Sequence, residues 1–171
     1  MAYNQNPNQR FQQQPSEFTE DIVQINRISK KTKGGNKVGF AALAVVGDKK
    51  GKVGVGNGKA ADVASAIRKG VTQAKKHMIT VPIVKGTIPF SILVKHGAAK
   101  VMLKPAPMGS GVIAGGAVRS VVAAAGIQNI SSKVLGSDNQ ASNVYATIEA
   151  LKRLALMNEK IAKKREEGGK K

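Results

Sequence analysis

The sequence predicts an α+β protein of two small domains, and three features of the chain carry that reading. Apolar residues alternate over Ile22–Ile28 and again over Val38–Val46, the period of half-buried strands. Apolar residues then recur at helical spacing from Val63 to Met78. A proline-bounded stretch, Pro82 to Pro89 with Lys85 and Gly86 inside it, breaks the periodicity before a second set of strands and helices begins.

The elements follow in order. The first two strands flank a basic loop that contains Lys30, Lys31, Lys33, Gly34, Gly35, Asn36 and Lys37. Gly47, Asp48, Lys49, Lys50 and Gly51 make a turn cluster, after which Val53 and Val55 alternate with Gly54 and Gly56 in a short third strand. Asp62 is placed to cap a helix whose apolar stripe is Val63, Ala66, Ile67, Val71, Ala74 and Met78, with Arg68, Lys69, Lys75 and Lys76 off the stripe. The first half is therefore a three-stranded antiparallel sheet with one helix.

Beyond the interruption, Ser91–Val94 and Lys100–Leu103 read as a hairpin, and a glycine-rich turn leads into a helix carrying Val118, Val121, Val122 and Ala125, stopped by Gly126. Ile127–Leu135 is a further strand, and a last helix spans Ser142–Leu156 with Val144, Ile148, Leu151 and Ala155 on one face. The predicted divisions are an Asn/Gln-rich disordered tail over 1–16, domains over 17–83 and 84–156, and a charged tail over 157–171 that extends the last helix a turn or two before fraying. A half of about 70 residues buries only ~60% of its unfolded surface, so each is marginal alone and gains from docking to a partner.

Charge indicates the partner. The chain carries 28 Lys and Arg against 10 Asp and Glu, a net charge of +18. Self-repulsion of that size is relieved by a phosphate backbone, whose condensed counterions the lysines displace. A membrane is the competing polyanion, but no apolar run nears the roughly 20 residues of a spanning helix, and aromatic residues make up only 4% of the chain. With no cysteines and no basic segment leading into an apolar N-terminal core, the expected location is the cytoplasm.

Catalysis is not expected. From Val63 to Ser137, 75 consecutive residues hold no Asp or Glu but ten Lys or Arg, and acid–base chemistry and oxygen-ligated metals draw on carboxylates. His77 and His96 have no acidic neighbour in sequence that suggests a triad or a metal site. No cofactor is called for.

Two glycine-rich segments test that conclusion. Gly54, Gly56, Gly58 and Lys59 follow a strand and precede a helix, yet the phosphate-loop pattern fails at Val53 and Ala60. Gly109, Gly111 and Ala114 match a dinucleotide pattern, but no acid follows about 20 positions on to hold a ribose. Either segment offers backbone N–H groups to a phosphate, near Lys59 in one case and Lys104 in the other. The alternative is that the glycines only permit tight turns or close packing.

The predicted RNA contacts are Arg27, Lys30, Lys31, Lys33, Gly34, Gly35, Lys37, Lys49, Lys50, Lys52, Asn57, Lys59, Lys104 and Arg119. In the first domain they gather in two turns that together straddle a groove. Phe40 is the one aromatic on its predicted strands, so recognition by phosphate and shape is expected rather than base stacking.

The runs VVGDKKGKVGVGNGKA (Val45–Ala60), ITVPIVKGTIPF (Ile79–Phe90), KVMLKPAPMGSGVIAGGAVR (Lys100–Arg119) and AAGIQNISSKVLGSDN (Ala124–Asn139) resemble the bacterial small-subunit ribosomal protein five family. The resemblance spans about Glu17 to Leu156. It implies an N-terminal domain similar to the double-stranded-RNA-binding fold, a C-terminal βαβα domain, and small-subunit ribosomal RNA as ligand. It further implies small-subunit proteins four and eight as neighbours, an influence on decoding accuracy, and proximity to the messenger entry path. By the same resemblance Gly34, Gly35 and Lys37 reach toward the neck of the subunit near the aminocyclitol antibiotic site. The Asn/Gln-rich tail and the pair Lys49–Lys50 depart from the family pattern.

Overall fold

A computed structural model describes residues 17–168; the expected tail over 1–16 lies outside them. The elements are β1 (Thr19–Thr32), β2 (Gly35–Gly47), β3 (Lys52–Ala60), α1 (Val63–Lys76), β4 (Ile79–Thr80), β5 (Ile92–His96), β6 (Ala99–Pro105), β7 (Val112–Ile113), α2 (Gly116–Ala125), β8 (Ile130–Val134) and α3 (Gln140–Gly168). The α+β class holds. The expected three-stranded sheet is β1-β2-β3 with the two-residue β4 added at its edge, and the second sheet has the order β5-β6-β8-β7.

Local chemistry sets the boundaries. The Asp62 carboxylate accepts the Ser65 backbone N–H at 2.9 Å and starts α1, while Lys75 and Lys76 occupy its last turn where the helix dipole favours cations. Gly126 ends α2 in the left-handed region at φ +86°. In the C-terminal half, β7 and β8 pair in parallel across α2 and α3 follows, which is the expected βαβα, with the β5–β6 hairpin placed ahead of it. α3 runs without a break past Leu156 to Gly168, longer than the sequence reading.

The first sheet is covered on both faces. Ala44 and Val46 of β2 pack against Val71 and Ala74 of α1. On the opposite face Leu43, Val45, Val53 and Val55 share one core with Val118, Val121 and Val122 of α2, Leu151 and Leu154 of α3, and Val94, Val101 and Leu103 of the second sheet. The layers therefore run α1, first sheet, α2 with α3, second sheet. Each half's docking partner is the other half.

Backbone hydrogen bonds fasten this junction. In the β2–β3 turn, Lys49 N–H donates to the Ala124 carbonyl at 3.1 Å and Gly51 N–H to the Ala125 carbonyl at 2.9 Å, occupying acceptors at the C-terminal end of α2. A Cβ at Gly47 would meet the Ala124 carbonyl oxygen at 2.1 Å, so only glycine admits this approach. The proline-bounded segment is equally fixed: the Gly86 carbonyl accepts from Gln128 and Asn129 N–H at 2.9 and 3.0 Å, and Ile88 is buried.

Candidate nucleic-acid interface

The last β2–β3 pair is Phe40–Ala60, whereas β1 and β2 stay paired out to Thr32–Gly35. The tip of this hairpin thus projects as a two-stranded arm from Ile28–Gly39 outward. Lys33 and Gly34 form its turn, Gly35 follows at φ +124°, and the Thr32 hydroxyl donates to the Gly35 carbonyl at 2.8 Å. Every residue from Ile25 to Val38 is exposed.

Register decides which side chains share a face, because residues directly opposite in an antiparallel pair point the same way. Lys30 faces Lys37 across the ladder, and Lys59, opposite Ala41, lies on the same face. These three lysines border a groove of ≈ 350 Å³ with Ile28, Val38, Gly39 and Ala60. Lys31, opposite Asn36, and Arg27, opposite Phe40, occupy the other face. The arm carries no carboxylate, so the Lys30–Lys37 repulsion is left for an outside anion to relieve.

The second basic turn does not join the first. Lys49, Lys50 and Lys52 sit at the far end of β2, whose 13 residues separate the two turns by ~40 Å at the rise of an extended chain. The expectation that both turns straddle one groove is corrected: in an antiparallel meander successive turns fall at opposite ends. Asp48 organises the second turn by accepting the N–H groups of Lys50 and Lys52 at 2.7 and 2.9 Å. Partial desolvation pulls the Asp48 carboxyl upward in pKa, but those two bonds and the Lys52 charge outweigh it, and the net shift is downward. Lys49 and Lys50 themselves remain exposed.

The glycine segments are not phosphate cradles. Gly54, Gly56 and Gly58 lie within β3, where a Cβ would meet the carbonyl oxygens of Ala74, Gly70 and Ala66 at 2.2, 2.1 and 2.0 Å. Two strand residues advance ~6.6 Å and four helix residues ~6 Å, so glycines at every second position track small residues at every fourth. Close packing is their role. In the other segment, Gly109 and Gly111 take φ of +90° and +69°, and both donate their N–H groups to Asn129 Oδ1, at 3.0 and 3.2 Å. Those donors are already used.

Asn57 is exposed on β3 and its N–H donates to Gln73 Oε1 of α1 at 3.2 Å. Lys104 on β6 and Arg119 in α2 are exposed but belong to the C-terminal half, apart from the arm. The site list read from sequence omits Arg68, Lys69 and Lys76, which line a shallow groove of ≈ 310 Å³ on α1 with Thr72 and Gln73. The signal was present as a polar stripe at helical spacing. Lys75 is engaged with Glu20 at 2.8 Å. Among the described residues there is no cluster of His, Cys, Asp or Glu able to hold a metal, and no helix is long and apolar enough to cross a membrane.

Comparison with known proteins gives these surfaces a family. Residues 18–82 match the model of ribosomal protein S5, N-terminal domain, and residues 94–165 that of ribosomal protein S5, C-terminal domain. The chain belongs to the ribosomal protein S5 family. Among its S5 relatives, small ribosomal subunit protein uS5 of Acaryochloris marina is 48% identical over 91% of this chain and 89% of its own. That of Thermotoga neapolitana is 52% identical over 90% and 85%, and that of Thermosynechococcus vestitus 49% over 95% and 94%. The S5 match thus embraces both sheets and all three helices.

Proposed function

We propose that this protein is a structural constituent of the small ribosomal subunit in the cytoplasm, that it binds ribosomal RNA through phosphate contacts, and that it has no catalytic activity. The observation that carries the reading is the basic arm: Lys30 and Lys37 face each other with Lys59 on the same face and no carboxylate on the arm. Such a cluster suits a groove edge of folded RNA, where successive phosphates are close together. Lys33 at the tip and Asn57 extend this surface, and Arg27, Lys31 and the α1 cations Arg68, Lys69 and Lys76 add phosphate contacts from the opposite face of the sheet. Half-buried Phe40 is no stacking platform, in keeping with recognition of shape.

Lys49, Lys50, Lys52 and Arg119 make separate phosphate contacts in this reading, away from the arm. The division into 17–83 and 84–156 is retained as an N-terminal RNA-binding-like domain and a C-terminal α/β domain. Small-subunit proteins four and eight as neighbours, a position near the messenger entry path, and support of assembly and translational accuracy belong to the same proposal.

The test is the salt dependence of binding to a folded small-subunit RNA fragment. Neutralising Lys30, Lys31, Lys33 and Lys37 together weakens binding and flattens the log–log slope by up to ~0.9 per lost phosphate contact. An unchanged slope means that the arm faces protein or solvent.

A further inference from the structure

The end of β3 leaves a notch beside the arm. Phe40–Ala60 is the last β2–β3 pair, and two residues further on that register would set Val38 against Asp62, where the chain has already turned into α1. The edge of β2 is therefore open from Val38 outward, and the groove of ≈ 350 Å³ lies against it. Its walls are aliphatic: Ile28 and Val38, 37% and 38% exposed, on the arm, and Ala60 and Ala61 at the end of β3. Gly39 keeps these walls apart. A Cβ there would lie 2.9 Å from the Ala60 carbonyl oxygen and 3.8 Å from Ile28 Cγ1, so a side chain would fill the space between them.

Three exposed cations, Lys30, Lys37 and Lys59, complete a lining that includes no carboxylate. Asp62, next in sequence, is turned to the Ser65 N–H as the cap of α1. The groove thus suits a ligand with an apolar body and negative charge beside it. A phosphate backbone passing over the rim would satisfy the lysines but leave Ile28 and Val38 in water. A peptide strand added to the β2 edge would cover the walls, but its backbone brings no charge to the lysines. A nucleotide whose base is out of the stack does both, since the base enters the groove and the phosphates on either side of it meet the cations. The volume lies at the small end of small-molecule sites, which suits a single base. Unstacking costs least for a base that is already unpaired, so the occupant is a bulge or loop nucleotide.

We infer that the groove beside the arm receives one extruded base of folded RNA, held by aliphatic packing with its flanking phosphates on Lys30, Lys37 and Lys59. The inference rests on the RNA-binding reading of the arm and names the feature of the RNA that the arm selects. With no aromatic ring in the lining, the contact senses an unpaired nucleotide rather than which base it carries.

The probe is an RNA duplex with a single bulged 2-aminopurine, compared with the same duplex carrying an abasic bulge and with the fully paired duplex. The full chain is expected to bind the 2-aminopurine bulge at least about fivefold more tightly than the abasic one, the lower end of what base packing on aromatic platforms supplies. The fluorescence of 2-aminopurine should rise as it leaves its stacked neighbours. Ala61→Leu, at an exposed position, fills the groove and should remove the preference, while affinity for the paired duplex and its salt dependence stay unchanged. Val38→Ser, also exposed, takes away a wall and should lower the preference without filling the space. Equal affinity for the two bulges overturns the inference and leaves the notch to a peptide strand. A preference that survives both substitutions overturns it by placing the base elsewhere. Failure to bind any of the three RNAs in a salt-dependent way overturns the functional reading as well, whereas equal salt-dependent binding to all three overturns the base site alone.

Discussion

Lys30 and Lys37 stand directly opposite each other on adjacent strands of an exposed arm, with no carboxylate on the arm to separate their charges. Opposed like charges on a ladder are destabilising, so the arm gives up some stability to keep cations where an anion can use them. Lys37→Thr is expected to raise the stability of the free protein by ~0.2–1 kcal/mol and to weaken RNA binding. Thermal melts and a binding titration at fixed salt check the two signs, which must be opposite.

Gly56 packs its Cα against the backbone of α1, with the Gly70 carbonyl 2.1 Å and the Ala74 nitrogen 2.5 Å from where a Cβ would lie. Gly56→Ala therefore forces strand and helix apart and costs about 1–3 kcal/mol or more. Gly116, in the first turn of α2, has no atom within 4 Å of such a Cβ. Gly116→Ala stabilises by ~0.4–1 kcal/mol through the unfolded chain. Denaturant melts of the two variants should move in opposite directions.

One core links the halves, so the intact chain should unfold in a single transition. Far-ultraviolet circular dichroism and the fluorescence of Tyr145, which packs on that core, are expected to give coincident curves. Gly126→Ala breaks the junction twice over, since the site has φ +86° and a Cβ would lie 2.0 Å from the Lys49 carbonyl oxygen. In that variant the transition should fall in midpoint and the two probes separate.

Asp48 carries a pH signature. Its folded pKa is depressed below the ordinary 3.8, so its contribution to stability is fully present above the unfolded value and is lost as pH falls through the folded one. Asp48→Ala, which removes two hydrogen bonds, is expected to cost ~1–2 kcal/mol at neutral pH. That deficit should shrink below about pH 4, as melts across pH 2–7 would show. A deficit independent of pH would mean that the carboxylate's charge plays no part.

The sequence made the local structure legible where cause and effect are near in the chain. Asp62 at the start of α1, Gly126 at the end of α2 and the alternation through β1 and β2 each act within a few residues. What it concealed is non-local. The period-two glycines of β3 look like a phosphate loop until the small residues at every fourth position of α1 are placed against them. The Gly109–Gly111 donors look free until Asn129, 20 and 18 residues on, takes them. The two basic turns looked adjacent because both flank β2 in sequence, and the meander sends them to opposite ends. The joining of two marginal halves into one core depends on contacts between β2, β3, α2 and α3, and no single segment's periodicity reveals it.

The central claim is that this chain is built into the small ribosomal subunit through its RNA. The most direct measurement is the position of the tagged full chain in a sucrose gradient of cell extract, at moderate and then at high salt. Comigration with the small subunit that survives high salt is the predicted result. A peak at the top of the gradient under both conditions would contradict it.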